Sequence, residues 1–338
     1  MRPGMVKFMM GLRIIVICMA DTTDDNTDSE NTKLRGLDTL ATNIVKVRER
    51  PLFIMYYDDN LGSICETDIE EIYEEFRLQQ LDGNNKLDHL DILLHTTGGD
   101  PSTPYLIVQT IRQFTHDFTV MVPLYAYSAG TLICLGSNDL EFGPYGRLSA
   151  IDISLGESGI QIISIYHFLN FAKKCRKEIE MVLNEINSKR DLKTNVDSEL
   201  LAVMVQQVES LGIGSLERLS HLTEYYSKLL LNYMFEKKVK EGVLTPNARD
   251  ELIGHIVNFL VFESPSHDFT IDLDIAVNLQ MPVKRMSVRD FDLVLPLIKE
   301  LQQETQNGNI CHYLGKSASR PDGYRKPFFR LSKSKTRT

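Results

Sequence analysis

Short apolar runs alternate with amphipathic stretches along the first half of the chain, and the alternation predicts strands and helices in turn. Pro51-Leu52-Phe53-Ile54-Met55-Tyr56-Tyr57 suits a buried strand, closed by the turn-like Asp58-Asp59-Asn60. Thr67 is expected to cap the next helix, with Ile69, Ile72, Tyr73 and Phe76 at helical spacing and Glu70 completing a capping box. Leu90-Asp91-Ile92-Leu93-Leu94 predicts a second buried strand, ending at His95-Thr96-Thr97-Gly98-Gly99-Asp100-Pro101. A helix from about Thr103 carries Leu106, Ile107, Thr110, Ile111 and Phe114 on one side. Phe118 to Pro123 predicts a third strand, and Ala129 to Gly136 a helix that begins directly behind Ser128. Strand and helix in this rhythm mean a parallel sheet with right-handed crossovers, whose active sites lie at the carboxyl ends of strands.

Farther along, the period lengthens. Residues 160–240 read as long amphipathic helices with two apolar stripes, one of Ile179, Val182, Leu183 and Ile186, the other of Leu222, Tyr225, Tyr226, Leu229 and Leu230. Both read as packing or subunit contacts. Phe259 to Phe262 and Phe269 to Ile271 read as short strands around Glu263-Ser264-Pro265-Ser266-His267-Asp268, and Ser287 to Gln303 as a final helix. At the other end, Val6 to Ala20 resembles a signal h-region, but Arg13 interrupts it and it is too short to span a bilayer. Residues from Met19 onward read like a natural start, so residues 1–18 are expected to be an upstream start-codon product or a weak membrane anchor. Asp21 to Glu30 is acidic, free of apolar residues and expected to be disordered. The tail from Lys316 carries Lys316, Arg320, Arg325, Lys326, Arg330, Lys333, Lys335 and Arg337 against Asp322 alone. It reads as a disordered solubilising tail, or as a surface for an acidic partner.

Composition narrows the function classes. The chain has 338 residues, 43% of them hydrophobic and 25% charged, the balance of an ordinary soluble protein. A net charge of −9 argues against nucleic-acid binding. Cys18, Cys65, Cys134, Cys175 and Cys311 are odd in number and scattered, which fits reduced thiols in a cytoplasmic protein rather than a disulfide framework or zinc site.

The candidate chemistry lies in two turns. Ala126-x-Ser128-x-Gly130 is close to the G-x-S-x-G elbow, in which small residues let the chain turn sharply from strand to helix and leave the hydroxyl exposed. The helix start behind it offers N–H groups and a positive dipole end to a developing oxyanion. A serine that merely caps a buried helix fits the same pattern. Gly98-Gly99, after the neighbouring strand, would let backbone N–H groups approach a substrate carbonyl that side chains would block.

With His95-Thr96-Thr97-Gly98-Gly99-Asp100-Pro101, Val122-Pro123-x-x-Ala126-x-Ser128-Ala129-Gly130-Thr131 and Gly143-Pro144-x-Gly146-x-Leu148-Ser149-Ala150-Ile151-Asp152, the chain resembles the ClpP/crotonase superfamily. Within it the resemblance is to the serine dehydrogenase proteinase family, relatives of ClpP and signal peptide peptidase A. That family carries a similar L-H-T-P-G-G turn, an S-A-G-T segment and an L-G-x-I-D-P-Q segment. Thr97 stands where the family has proline, and Ile153-Ser154 where it has Pro-Gln. The resemblance is good over residues 51–152 and looser to 283.

The resemblance implies an α/β fold, a spiral of ββα units with a mainly helical insertion or extension. It divides the chain into an N-terminal extension (1–40), a serine protease domain (41–283, including helical 160–240) and a C-terminal helix with the basic tail (284–338). It implies Ser128, Asp152 and His267 as nucleophile, orienting carboxylate and base, with Gly98, Gly99 and Ala129 around the oxyanion. Lys173 or Lys174 is the rival base, Asp268 a weaker carboxylate, and His167 a lesser candidate; His221, His255 and His95 read as structural or surface residues. The expected activity is hydrolysis of peptide or protein substrates in the cytoplasm by a homo-oligomer, without metal or organic cofactor and without nucleic acid. Membrane association through the N-terminus is the alternative location. A non-catalytic oligomeric scaffold and a crotonase-type acyl-CoA enzyme are the alternative functions.

Overall fold

The computed structural model describes residues 14–18, 32–58, 62–79, 81, 85–151, 154–155, 163–164, 177, 181, 213–266, 269–306, 309–313 and 329–333. Among these, the main sheet has β1 (Ile14–Cys18), β2 (Leu52–Tyr56), β3 (Leu87–His95), β4 (Thr115–Val122), β5 (Asp139–Phe142) and β10 (Val283–Arg285), side by side in that order. From β2 to β10 the strands are parallel; β1 runs antiparallel along the β2 edge. The expected α/β class is what the chain adopts.

Helices α2 (Thr67–Leu78), α3 (Thr103–Phe114) and α4 (Ala129–Leu135) follow β2, β3 and β4 in the chain. With α5 (Ile213–Lys240), α6 (Pro246–Asn258) and the short α7 (Leu273–Asn278) they cover one face of the sheet; α1 (Thr32–Arg48) and α8 (Val288–Gln306) cover the other. Strand side chains therefore meet apolar layers on both sides, so β2 is apolar throughout. Phe53 and Met55 enter one layer, Leu52, Ile54 and Tyr56 the other.

Several expectations are corrected. At the start of α2, Glu66 and not Thr67 takes the cap position, without a side-chain bond of its own, and Asp68 reaches back to accept the Cys65 N–H at 2.7 Å. Phe259–Glu263 is a π-helical turn continuing α6, not a strand; Ser264 N–H bonds Phe259 O at 2.9 Å, and a short apolar run has no periodicity to separate the two. Within the stretch read as helical, β8 (Ile163–Ser164) pairs with β7 (Ser154–Leu155). The inward face of α5 is Thr223, Ser227, Leu230, Leu231, Met234 and Phe235, whereas Tyr225 is 59% exposed. Helix α1 crosses residue 40, and α8 lies beyond 283, yet both bury residues in one apolar layer: Leu37, Ala41, Ile44 and Val45 with Val294, Leu297, Ile298 and Leu301. In the basic tail, β12 (Phe329–Lys333) pairs with β11 (Asn309–Tyr313).

Two buried polar features matter for stability. Arg48, at the end of α1, binds Asp91 of β3, Glu141 of β5 at 3.0 Å and Asp290 of α8 at 3.2 Å, tying both elements of its layer to the sheet. On the other face Glu75 is buried, one carboxyl oxygen lacks a partner, and burial pushes its pKa up to about 7 against an opposing bond from Gln79. A carboxyl raised on folding stabilises fully below its unfolded value, and that contribution is lost as pH rises through 7. Glu75→Gln is therefore expected to raise stability by about 2 kcal/mol at pH 8 and to change it little at pH 4. Urea unfolding at the two pH values checks this.

Candidate active site

Beyond the carboxyl ends of β3 and β4, the chain continues as a narrower ladder. Thr96 pairs with Ala126 and Ala126 with Leu148; Leu148 opens β6 (Leu148–Ser149), which pairs antiparallel with β9 (Thr270–Ile271). Thr96 N–H bonds Tyr125 O at 3.2 Å, and Tyr127 N–H bonds Thr96 O at 3.0 Å. This pairing carries the Gly98-Gly99 turn alongside Ser128.

Ser128 stands at the N-cap of α4 with φ 49° and ψ −111°, a conformation few side chains adopt. A helix-capping serine has extended backbone and accepts a bond from the first turn. Ser128 has neither: its hydroxyl makes no cap bond. It is half-buried, and its N–H donates to Ser149 Oγ at 2.8 Å. The geometry is a sharp strand-to-helix elbow that presents the hydroxyl.

Gly98 and Gly99 have φ of 116° and 156°. A methyl group on Gly98 would lie 2.9 Å from Ser128 Cβ and 3.1 Å from Tyr127 O, so glycine is what lets the two turns touch. On Gly99 it would lie 2.1 Å from Ile64 O, because Gly99 is pinned between Ile64 N–H→Gly98 O and Asp100 N–H→Ile64 O, both 2.9 Å. Gly98 N–H is committed to Thr96 Oγ1 at 3.0 Å. Among the described residues the Gly99 and Ala129 N–H groups have no acceptor. Of the three expected donors, two are open; the third is spent inside its own turn.

His95 sits one step below the turn, 1% exposed, stacked on Tyr56 (4.8 Å) and against Tyr125 (4.1 Å), which stacks in turn on Tyr127. Among the described residues neither ring nitrogen has a hydrogen-bond partner, and burial lowers its pKa to about 4, opposed by Asp58. It is a neutral packing group. His221 and His255 are exposed, the former beside Glu224.

Asp152, His267, Asp268, His167, Lys173 and Lys174 lie outside the described residues. Their neighbours in the chain do not. Ser149, paired with Thr270, touches the Ser128 backbone, and Ile151 N–H bonds Leu260 O at 3.0 Å. The sequence reading missed Thr96, Thr131 and Ser149. Thr131 Oγ1 accepts the Ser149 N–H at 3.2 Å and donates toward Ala126 O and Ser149 O, both 3.0 Å away. The available signal was a set of small hydroxyl residues inside buried apolar segments, where each must find a partner. Among the described residues, no group of three or more His, Cys, Asp or Glu could hold a metal ion, and no helix is long and apolar enough to cross a membrane.

Fold and turn together define an α/β protein with a strained serine elbow beside a glycine turn. No protein-family model matches the chain, and no curated protein matches it in sequence. Among solved structures it is similar to a mutant of the 1510-N membrane-bound stomatin-specific protease, at 15% identity over 72% of this chain and 81% of that one, with a TM-score of 0.39. It is also similar to a second mutant of that protease in complex with a substrate peptide, at 14% identity over 81% and 84%, with a TM-score of 0.38. At this distance the likeness assigns neither an activity nor a site residue.

Proposed function

We propose that the protein is a serine peptidase that cleaves peptide or protein substrates through an acyl-enzyme on Ser128, acting as a homo-oligomer. The observation that carries the reading is Ser128 itself: a strained elbow whose hydroxyl is not used in capping, next to two N–H groups without acceptors among the described residues. The resemblance of the three turn segments to the serine dehydrogenase proteinase family supports it.

Ser128 Oγ attacks the scissile carbonyl carbon, and His267 takes the hydroxyl proton. The carbonyl oxygen, now anionic, accepts from Gly99 and Ala129 N–H. Collapse breaks the C–N bond, His267 returns the proton to the leaving amine, and water then hydrolyses the ester. Asp152 holds the imidazole tautomer. His267 and Asp152 are supported by the order of residues in the family and by the β6–β9 pairing of the segments that flank them. Lys173 and Lys174 are the rival bases.

Labelling with a fluorophosphonate probe tests the reading. The wild type should label and Ser128→Ala should not; unchanged labelling of the variant would reject Ser128, and an unlabelled wild type would favour a non-catalytic scaffold. Activity retained in His267→Ala but lost in Lys173→Ala or Lys174→Ala would move the base to lysine.

A further inference from the structure

We infer that Ser149 is a positioning residue for Ser128: its hydroxyl holds the backbone of the elbow in the conformation that presents the nucleophile. The inference rests on the reading of Ser128 as nucleophile.

A serine at φ 49° and ψ −111° is strained, so neighbouring groups must over-determine it. At the start of a helix its N–H also has no partner within the helix. Ser149 Oγ supplies one at 2.8 Å. The direction of this bond is fixed, because Ser149's own hydroxyl hydrogen goes to Ala150 O at 2.9 Å, leaving an oxygen lone pair for the Ser128 N–H. Ser149 is 4% exposed, so a substitution leaves little room for water to take over.

Ser149 is itself fixed from two sides. Its N–H donates to Thr131 Oγ1, within the first turn of α4, and it pairs with Thr270 of β9. Thr131 lies within 3.0 Å of Ala126 O, which closes a ring of contacts Ala126–Thr131–Ser149–Ser128 around the elbow. Relaxing one member lets the Ser128 backbone rotate toward an ordinary helix cap and swings Oγ away from the open Gly99 and Ala129 N–H groups.

The test compares fluorophosphonate inactivation of the full-length wild type, Ser149→Ala, Ser149→Cys and Ser128→Ala, each checked for cooperative melting. Amide hydrogen exchange at Ser128 is measured in parallel. Ser149→Ala is expected to lower the maximal inactivation rate about 10-fold with the probe's half-saturation within about twofold, and to speed Ser128 amide exchange. If that variant does not melt cooperatively, Ser149→Cys, a weaker acceptor of similar shape, carries the same comparison. A folded variant with an undiminished inactivation rate, or unchanged Ser128 exchange, overturns the positioning role alone. A wild type without Ser128-dependent labelling overturns the nucleophile reading and this inference with it.

Discussion

Ser128→Gly is expected to lose peptide hydrolysis by at least about 10³-fold while melting about 2 °C higher than the wild type. Loss of the proposed nucleophile explains the first effect. The second follows from the backbone: φ 49° is strained for serine and open to glycine. Relief of about 1–3 kcal/mol of strain exceeds the extra chain entropy that glycine loses on folding, about 0.5–1 kcal/mol. Because the Ser128 hydroxyl makes no cap bond, removing it forfeits no helix capping. Differential scanning calorimetry beside probe labelling measures both. A helix-capping serine would give the opposite sign, with a lower melting temperature. A melting temperature that falls would therefore return Ser128 to an ordinary cap.

That contrast marks where sequence reasoning reaches. Strands β2 to β4 and helices α3 and α4 were legible because both faces of the sheet are covered, so strands appear as unbroken apolar runs between turn residues. Phe259–Glu263 was not, since an equally apolar run can extend a helix. The elbow was legible as a pattern of small residues around Ser128, but its decisive property was not. An A-x-S-x-G segment serves a cap as well as a nucleophile, and only φ separates them. Likewise Gly98-Gly99 announces a close approach without saying whose N–H stays open. Thr96 occupies the Gly98 N–H through a bond between residues two apart, and that choice of partner depends on the ladder beyond β3 and β4. Ser149 is farther still from view: 21 residues separate it from the N–H it accepts.

The largest stability effect should come from the opposite face of the sheet. Arg48→Met is expected to cost about 3–5 kcal/mol at neutral pH, because it leaves Asp91 and Glu141, 1% and 4% exposed, without their shared cation. Burial alone pushes the Glu141 carboxyl up; hydrogen bonds and charge from Arg48, with Lys284, outweigh it and hold the carboxyl below its ordinary range. A depressed carboxyl contributes stability that is present above its unfolded pKa, about 4.3, and lost as pH falls through the folded value. In the variant only Lys284 still opposes burial, so the carboxyl moves upward from its wild-type value and its charged form is held less well as pH rises. The defect should thus be greatest near pH 8, a melting temperature about 10 °C lower, and should be smaller in unfolding measured at pH 4.5. Urea unfolding at both values decides it. An equal loss at both would assign the defect to packing at the α1–α8 layer. A loss confined to neutral pH would assign it to the buried charges, which bind α1, β3, β5 and α8 into one unit.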